Sequence, residues 1–264
     1  MNITIGQYYP VTSFLHSLDP RTKILSTLLY MTAVFCAKNI YGYILSIIFL
    51  LIVIFISNVP INLIISGLKN IIIIILFTVI LNMLFIKDGN EILNIGFIHI
   101  TNIGIITAVK LCTRLILLIL GSSMLTLVTT PIDLTAGIEA LLRPFKRIGL
   151  PSHEIAMMMS IALRFIPTLL EELDKIKKAQ MARGIDFDSG GLIQKAKSMV
   201  PLLVPLFISA FRRADELAMA MEARCYRGDI NRTKMNELKY QGIDYIALIT
   251  TILFTFIVIM LRIV

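Results

Sequence analysis

The sequence contains few charged residues and few of the side chains that usually bind metals or form disulfides. Of its 264 residues, 16% are charged, whereas a soluble domain has about 25%. Hydrophobic residues make up 57% of the chain, and its mean hydropathy is +0.84. This composition excludes an ordinary soluble domain and indicates an integral membrane protein.

Cysteine and histidine are too scarce and too widely spaced to form a recognisable metal site. The three cysteines have no CxxC spacing and predict neither a zinc site nor a disulfide framework; they are Cys36, Cys112 and Cys225. The three histidines include no HExxH pair; they are His16, His99 and His153. We therefore expect no metal and no cofactor.

Catalytic motifs are also missing. The sequence has no GxxxxGK(S/T), and therefore no P-loop of its own, and it has no GxSxG. Glu171 and Glu172 are adjacent in a predicted helix, so they point apart and form no paired-carboxylate site. We expect a protein that is not an enzyme and has no catalytic residues.

Five hydrophobic runs are candidates for transmembrane helices. They cover about 24–37, 40–56, 63–86, 104–129 and 243–264. The first would reach only about 21 Å of the roughly 30 Å hydrocarbon core, so it must extend into its flanks. Residues 92–103 alternate weakly in hydrophobicity and predict a short external loop or hairpin.

Basic residues near these runs predict their orientation. Arg21 and Lys23 precede the first run, and basic residues outnumber acidic ones between about 134 and 239. By the positive-inside rule, both regions lie in the cytoplasm, with the N-terminus inside and the C-terminus outside. The net charge of +8 favours anionic lipid and acidic protein partners over nucleic acid.

Three helical patterns fill this basic region. Thr130-Pro131 predicts the start of a helix that runs from Leu134 to about Arg147 and stops at Gly149. Ser152–Arg183 and Leu192–Arg224 are longer, and each combines an apolar part with a charged part. Neither has about 20 clean apolar residues, so we expect amphipathic helices in or below the inner leaflet. Three prolines should kink them, namely Pro167, Pro201 and Pro205.

The two long patterns end alike, at an offset of 41 residues. In each copy an aliphatic residue, an alanine and a terminal arginine share one helical stripe; these are Ile176, Ala179 and Arg183, then Leu217, Ala220 and Arg224. A guanidinium suits a bidentate grip on a carboxylate, so a duplicated tip predicts a duplicated partner. The alternative is that both arginines only complement the carbonyl end of a helix dipole.

Charges inside the fourth run leave a different function open. Lys110 and Arg114 lie one turn apart. With Asn82 and Ser122-Ser123, they are the only polar side chains of the predicted spans that we consider for a transport path. They suit an independent secondary transporter, unless they snorkel toward the headgroups. A membrane scaffold without transport is a third class.

Several stretches together resemble one family. They are residues 15–23 (LHSLDPRTK), 129–135 (TTPIDLT), 141–144 (LLRP), 162–169 (ALRFIPTL), 201–206 (PLLVPL) and the two Ala-Arg tips. Over almost its whole length the chain resembles the transmembrane coupling (T) component of energy-coupling factor transporters, a class of ABC-type importers.

The resemblance implies a division of labour in a prokaryotic cell membrane. Two cytoplasmic ABC ATPases hydrolyse ATP, and a separate substrate-binding S component captures a vitamin or similar micronutrient. The T component joins them through long coupling helices, each ending in an Ala-Arg-Gly motif that docks into one ATPase. A dedicated cobalt or nickel importer is the closer alternative.

Carried over to this chain, the motifs are Ala182-Arg183-Gly184 and Ala223-Arg224-Cys225. The second departs from the pattern because Cys replaces Gly, which normally permits the left-handed end of a helix. We expect either that Cys225 stays helical and Gly228 makes the turn, or that this tip has a different shape.

The resulting expectation is an all-α integral membrane protein with about five transmembrane helices. Residues 1–23 form a cytoplasmic segment, 24–129 four spans, 130–240 the cytoplasmic coupling helices and 241–264 the last span. Pro167, Pro201 and Pro205 would be the hinges of the coupling helices.

Overall fold

The computed structural model describes residues 8–69, 71–86, 91–95, 98–149, 151–187, 191–228 and 237–263. In this part of the chain the helices are α1 (Pro20–Cys36), α2 (Ile40–Ser57), α3 (Ile61–Lys69), α4 (Ile72–Phe85), α5 (Asn102–Val128), α6 (Pro131–Leu142), α7 (Ser152–Ala182), α8 (Leu192–Ala223) and α9 (Gly242–Ile263). A 3₁₀ helix covers Arg143–Ile148, and strands β1 (Glu91–Ile95) and β2 (Ile98–Thr101) form an antiparallel hairpin. The predicted all-α membrane fold is confirmed, with this one hairpin where residues 92–103 suggested a loop or hairpin.

The helices fall into two compact units. One contains the chain up to Ala140 together with the C-terminal segment from Glu237, and the other contains Leu141–Asn236. Four of the described helices are long and apolar enough to cross a membrane, namely α2, α5, α7 and α9, and the bent pair α3 and α4 would make a fifth. The segment boundaries expected from the sequence stay a prediction.

Helix α1 begins earlier than its hydrophobic run, as its short length required. Asp19 caps it by accepting a hydrogen bond from the Arg21 N–H at 2.9 Å, and Pro20 occupies the first position, where a missing N–H costs nothing. The helix therefore has 17 residues and is about 26 Å long. Lys23 lies within its first turn rather than before it.

The third hydrophobic run, which the sequence predicts as one span over 63–86, is divided between two helices in the structure. Helix α3 ends at Lys69, and α4 starts at Ile72, with a bend of 56° between them. A lysine in the middle of a hydrocarbon core is costly, whereas at the end of α3 its charge complements the helix carbonyls. The polar interruption in the run is the physical reason for the break.

Helix α6 starts as predicted but ends early. The Thr130 hydroxyl accepts a hydrogen bond from the Asp133 N–H at 3.1 Å and donates one to the Asp133 carboxylate at 2.7 Å. Beyond Leu142 the chain tightens into the 3₁₀ helix, because Pro144 has no N–H to continue the α-helical ladder. Gly149 then ends the segment with a left-handed backbone, φ +89°.

The core of the first unit brings the two ends of the chain together. Helix α1 packs against both α5 and α9. At its centre the rings of Phe49 and Phe254 stack with centroids 4.3 Å apart, and Tyr30 stacks on both at about 6 Å. Gly121 of α5 must lack a side chain here, because a Cβ would lie 2.5 Å from the Tyr30 ring.

A buried polar junction closes this core at the start of α1 and α9. The Asp244 carboxylate is 1% exposed and accepts hydrogen bonds from the N–H groups of Asp19 and Gln241, both at 2.8 Å. The Arg21 guanidinium donates to the Leu238 carbonyl and lies 4.6 Å from the centre of the Tyr240 ring. The hydrophobic run over 243–264 does not by itself indicate this junction.

Candidate functional site

The first predicted tip ends in a complete Schellman motif. Arg183 is the last residue with near-helical angles, and Gly184 follows with φ +86°. The Gly184 N–H donates to the Met181 carbonyl at 3.0 Å, and the Ile185 N–H donates to the Gln180 carbonyl at 3.1 Å. These bonds satisfy the last carbonyls of α7 and turn the chain away just after the arginine.

The second tip has the same backbone in spite of its cysteine. Cys225 takes the left-handed conformation itself, with φ +55°. Its N–H donates to the Glu222 carbonyl at 2.8 Å, and the Tyr226 N–H donates to the Met221 carbonyl at 3.0 Å. Both alternatives expected from the sequence are therefore wrong, because Cys225 is not helical and the tip is not reshaped. Gly228 has φ +73° but lies three residues beyond the turn.

Both tips present their side chains to the surface. All six predicted contact residues are exposed in the structure, namely Ala182, Arg183, Gly184, Ala223, Arg224 and Cys225. A Cβ added to Gly184 would meet nothing within 4 Å, so only backbone conformation restricts that position. Each tip is thus an exposed guanidinium beside a small residue on a capped helix end, which can approach an acidic surface closely.

Helices α7 and α8 contact each other at equivalent positions of the 41-residue repeat. Glu172 and Arg213 occupy equivalent positions of the two copies, and the Arg213 Nη2 atom lies 3.0 Å from the Glu172 Oε2 atom. Ser209 also hydrogen-bonds the Glu172 carboxylate. A contact between equivalent positions is what a local two-fold axis through this point would produce.

A second contact fixes the direction of the pair. The Gln180 side-chain amide donates to the Pro201 carbonyl at 3.3 Å. Gln180 lies later in α7 than Glu172, whereas its partner Pro201 lies earlier in α8 than Arg213. The two helices are therefore antiparallel. Arg183 and Arg224 each lie about 16 Å beyond the Glu172–Arg213 contact, in opposite directions. The two tips are therefore up to roughly 33 Å apart, the value for strictly antiparallel axes.

The three predicted hinge prolines lie inside uninterrupted helices. Pro167 is within α7, and Pro201 and Pro205 are within α8. Pro205 has no N–H, so it cannot bond the carbonyl four residues earlier, which is that of Pro201. This carbonyl is the acceptor of the Gln180 amide. Pro205 thereby supplies an acceptor for the contact between the helices, a role that sequence reasoning missed although the spacing of the two prolines signals it.

The intramembrane charges do not form a polar path together. The Arg114 Nη2 atom donates to the Ala37 carbonyl at 2.9 Å and lies 2.8 Å from the Tyr43 hydroxyl. It therefore satisfies the carbonyl end of α1 and ties it to α2. Lys110 is exposed on α5, and the Asn82 amide bonds the Thr78 carbonyl of its own helix.

The architecture defines a helical integral membrane protein, and the comparisons with known proteins give its class. The family model described as cobalt transport protein, CbiQ, matches residues 11–235. Three relatives bear the name energy-coupling factor transporter transmembrane protein EcfT. The one from Clostridium kluyveri is 54% identical over 263 residues, covering 99% of this chain and 97% of its own. The one from Thermosediminibacter oceani is 53% identical and covers 94% of this chain and 94% of its own length. The one from Bacillus subtilis is 48% identical and covers 99% of this chain and 98% of its own length.

The chain belongs to the CbiQ family and is the transmembrane T component of an energy-coupling factor transporter. The resemblance drawn from the sequence motifs is confirmed. Membership in this family argues against an independent secondary transporter and against a scaffold without transport. It assigns the chain to the membrane part of a transport system.

Proposed function

We propose that this chain couples two cytoplasmic ABC ATPases to a separate substrate-binding S component that takes up a vitamin or similar micronutrient. The chain itself would be non-catalytic, with ATP hydrolysis in the partners. The N-terminus would be cytoplasmic and the C-terminus external. The observation that carries the proposal is the pair of exposed Ala-Arg tips with the same backbone turn, one on each helix of an antiparallel pair.

The geometry of the tips suits two related partners. Their separation of up to roughly 33 Å is about the diameter of a small domain, so each tip can engage its own subunit. The antiparallel pair, with equivalent positions in contact at Glu172 and Arg213, suits two homologous ATPases related by a two-fold axis. Arg183 and Arg224 would each bind a carboxylate in a partner groove, where one charge-assisted contact contributes strongly.

The coupling movement would run along the helix pair. Closure of the ATPases on ATP would shift the two tips relative to one another, and α7 and α8 would act as levers hinged at Pro167, Pro201 and Pro205. The exposed apolar residues of α8, such as Leu203 and Phe207, offer a surface on which the S component would be carried.

The proposal is tested by affinity purification of the tagged chain from membranes in mild detergent, followed by ATPase and uptake assays. Arg183→Ala and Arg224→Ala should each reduce recovery of one ATPase at least tenfold, and the double variant should lose both. Arg212→Ala is the matched control, because Arg212 is an exposed arginine on α8 that is not at a tip. A double variant that recovers both ATPases and transports normally would refute the proposal.

The family description leaves one second candidate, a dedicated cobalt importer. The same purification distinguishes the two, since a shared module recovers several alternative small membrane proteins, whereas a dedicated importer recovers one fixed set. Uptake of labelled Co²⁺ by the reconstituted complex, with no vitamin uptake, would favour the second candidate.

A further inference from the structure

The first unit contains a cavity that the coupling function does not use. Its volume is about 550 Å³, within the roughly 300–1,000 Å³ of typical ligand sites. The N-terminal segment before α1 and the helices α1, α2, α5 and α9 contribute its walls, which are almost entirely apolar. If this cavity stayed empty, its apolar lining would lose contact with other atoms.

The cavity opens between exposed apolar residues of two helices that are long and apolar enough to span a membrane, α2 and α9. Its lining includes Ile52 of α2 and Leu253 of α9, which are 52% and 56% exposed. Neighbouring lining residues on the same helices, Ile48 and Ile257, are 48% and 40% exposed. The occupant that reaches this opening from the bilayer is an acyl chain.

One basic side chain lines the cavity. Among the described residues that line it, Lys23 is the only charged one. Its ammonium donates to the carbonyls of His16 and Val128 at 3.0 and 3.2 Å, and a third donor remains because an ammonium has three N–H groups. The carboxylates of Asp19, Asp133 and Asp244 interact with Lys23 electrostatically but do not line the cavity.

We infer that this cavity binds one acyl chain of an anionic phospholipid, with the headgroup phosphate at Lys23. The apolar walls take the chain, and the ammonium of Lys23, in the first turn of α1, pairs with the phosphate. The wall formed by the N-terminal segment is held in place, because the His16 ring bonds the Ser13 hydroxyl at 2.7 Å and the Tyr9 carbonyl at 3.1 Å. The bound lipid would be an integral part of the first unit.

The test is photocrosslinking of the purified transporter complex with phosphatidylglycerol that carries a diazirine in one acyl chain. Crosslinked peptides are mapped by mass spectrometry, and the zwitterionic phosphatidylcholine probe serves as reference. We expect crosslinks concentrated on the lining segments of α1, α2 and α9, with at least fivefold preference for the anionic probe. Lys23→Gln should abolish this preference while crosslinks to the apolar walls remain.

Two variants fill the cavity from different helices. Ala247→Phe on α9 and Val53→Phe on α2 both place a ring in the cavity, so each should reduce the lining crosslinks at least fivefold. Ile249→Phe and Leu51→Phe are the matched controls on exposed positions that do not line it, and they should leave the crosslinks unchanged. Using both filling variants guards against misfolding of either one.

Other results overturn the inference. Crosslinks spread evenly over all lipid-facing helices, unaffected by both filling variants, would mean that only bulk lipid contacts the protein. Lining segments that are crosslinked to a small membrane protein of the complex and protected from lipid would mean that the cavity is a protein-docking surface. Equal labelling by both lipid probes would remove the role of Lys23.

Discussion

The backbone of Cys225 is the most informative single conformation at the second tip. A non-glycine residue in the left-handed region costs roughly 1–2 kcal/mol. Cys225 nevertheless occupies it, at φ +55°, because the two Schellman hydrogen bonds require a left-handed residue directly after Arg224. The second tip thus keeps the left-handed turn although the Cβ of Cys225 disfavours it. In the first tip, Gly184 adopts the same turn without a Cβ.

Cys225→Gly should stabilise the second tip. Removing the Cβ relieves the left-handed strain, partly offset by the greater freedom of glycine in the unfolded chain, so we expect a gain of about 1 kcal/mol. Hydrogen exchange of the peptide that covers the tip should slow about fivefold in the purified complex. Cys225→Ala keeps the Cβ and should leave the exchange rate unchanged, and a faster rate in the glycine variant would contradict the argument.

The sequence predicts the tip residues but not this conformation. The repeat identifies Arg183 and Arg224, because residue type and spacing carry that information. Two turn positions, Cys225 and Gly228, compete for the end of α8, and glycine propensity alone favours the later one. The hydrogen bonds that settle the competition form only when the last turn of the helix is in place.

At the scale of the helices, Pro205 and Gln180 act together. Pro205 frees the Pro201 carbonyl from the helix ladder, and the Gln180 amide of the neighbouring helix donates to it at 3.3 Å. A proline that a sequence reader interprets only as a hinge therefore also holds α7 to α8. If Pro205 is a hinge as proposed, bending there and the contact between the helices would depend on the same carbonyl.

This coupling predicts a non-additive pair of substitutions. Gln180→Met keeps the length of the side chain and removes the donor, so it should reduce stability by about 1 kcal/mol. In a Pro205→Ala background the helix ladder satisfies the Pro201 carbonyl, so Gln180→Met should then cost about half as much or less. Thermal unfolding of the four proteins in detergent measures the cycle, and equal effects of Gln180→Met in both backgrounds would show that Pro205 does not strengthen the contact between Gln180 and the Pro201 carbonyl.

The sequence predicts most helix boundaries, for reasons that can be stated. Thr130 and Pro131 cap and start α6, and the ends of α7 and α8 fall at the alanine before each tip arginine, as the patterns indicate. It misses the break at Lys69, because hydrophobicity averaged over a run hides one charge. It also misses the 3₁₀ turn after Leu142, since the helical pattern was extended through Pro144.

At the scale of the whole chain, the first and last helices are joined by contacts that no local pattern encodes. The Asp19 N–H and the Asp244 carboxylate are 225 residues apart in the sequence and meet in a buried junction. A single acidic residue at the start of a span indicates only that it has some function or partner. Its partner here is a backbone N–H group, and because nearly every residue has one, the sequence does not identify it. The hydrophobic runs therefore predict that α1 and α9 exist but not that they pack together.

The junction predicts a strong effect at a residue remote from both tips. Each oxygen of the buried Asp244 carboxylate accepts a backbone N–H. In Asp244→Asn one oxygen becomes an amide donor that faces an N–H, so a buried donor is left without an acceptor. We expect a loss of about 1–3 kcal/mol, seen as a midpoint of thermal unfolding lower by about 2–4 °C per kcal/mol.

Asp215→Asn, at an exposed position of α8, is the control and should change the free energy of unfolding by no more than about 0.5 kcal/mol. Equal midpoints for Asp244→Asn and the wild type would mean that packing of α1 on α9, rather than the buried carboxylate, joins the two ends of the chain.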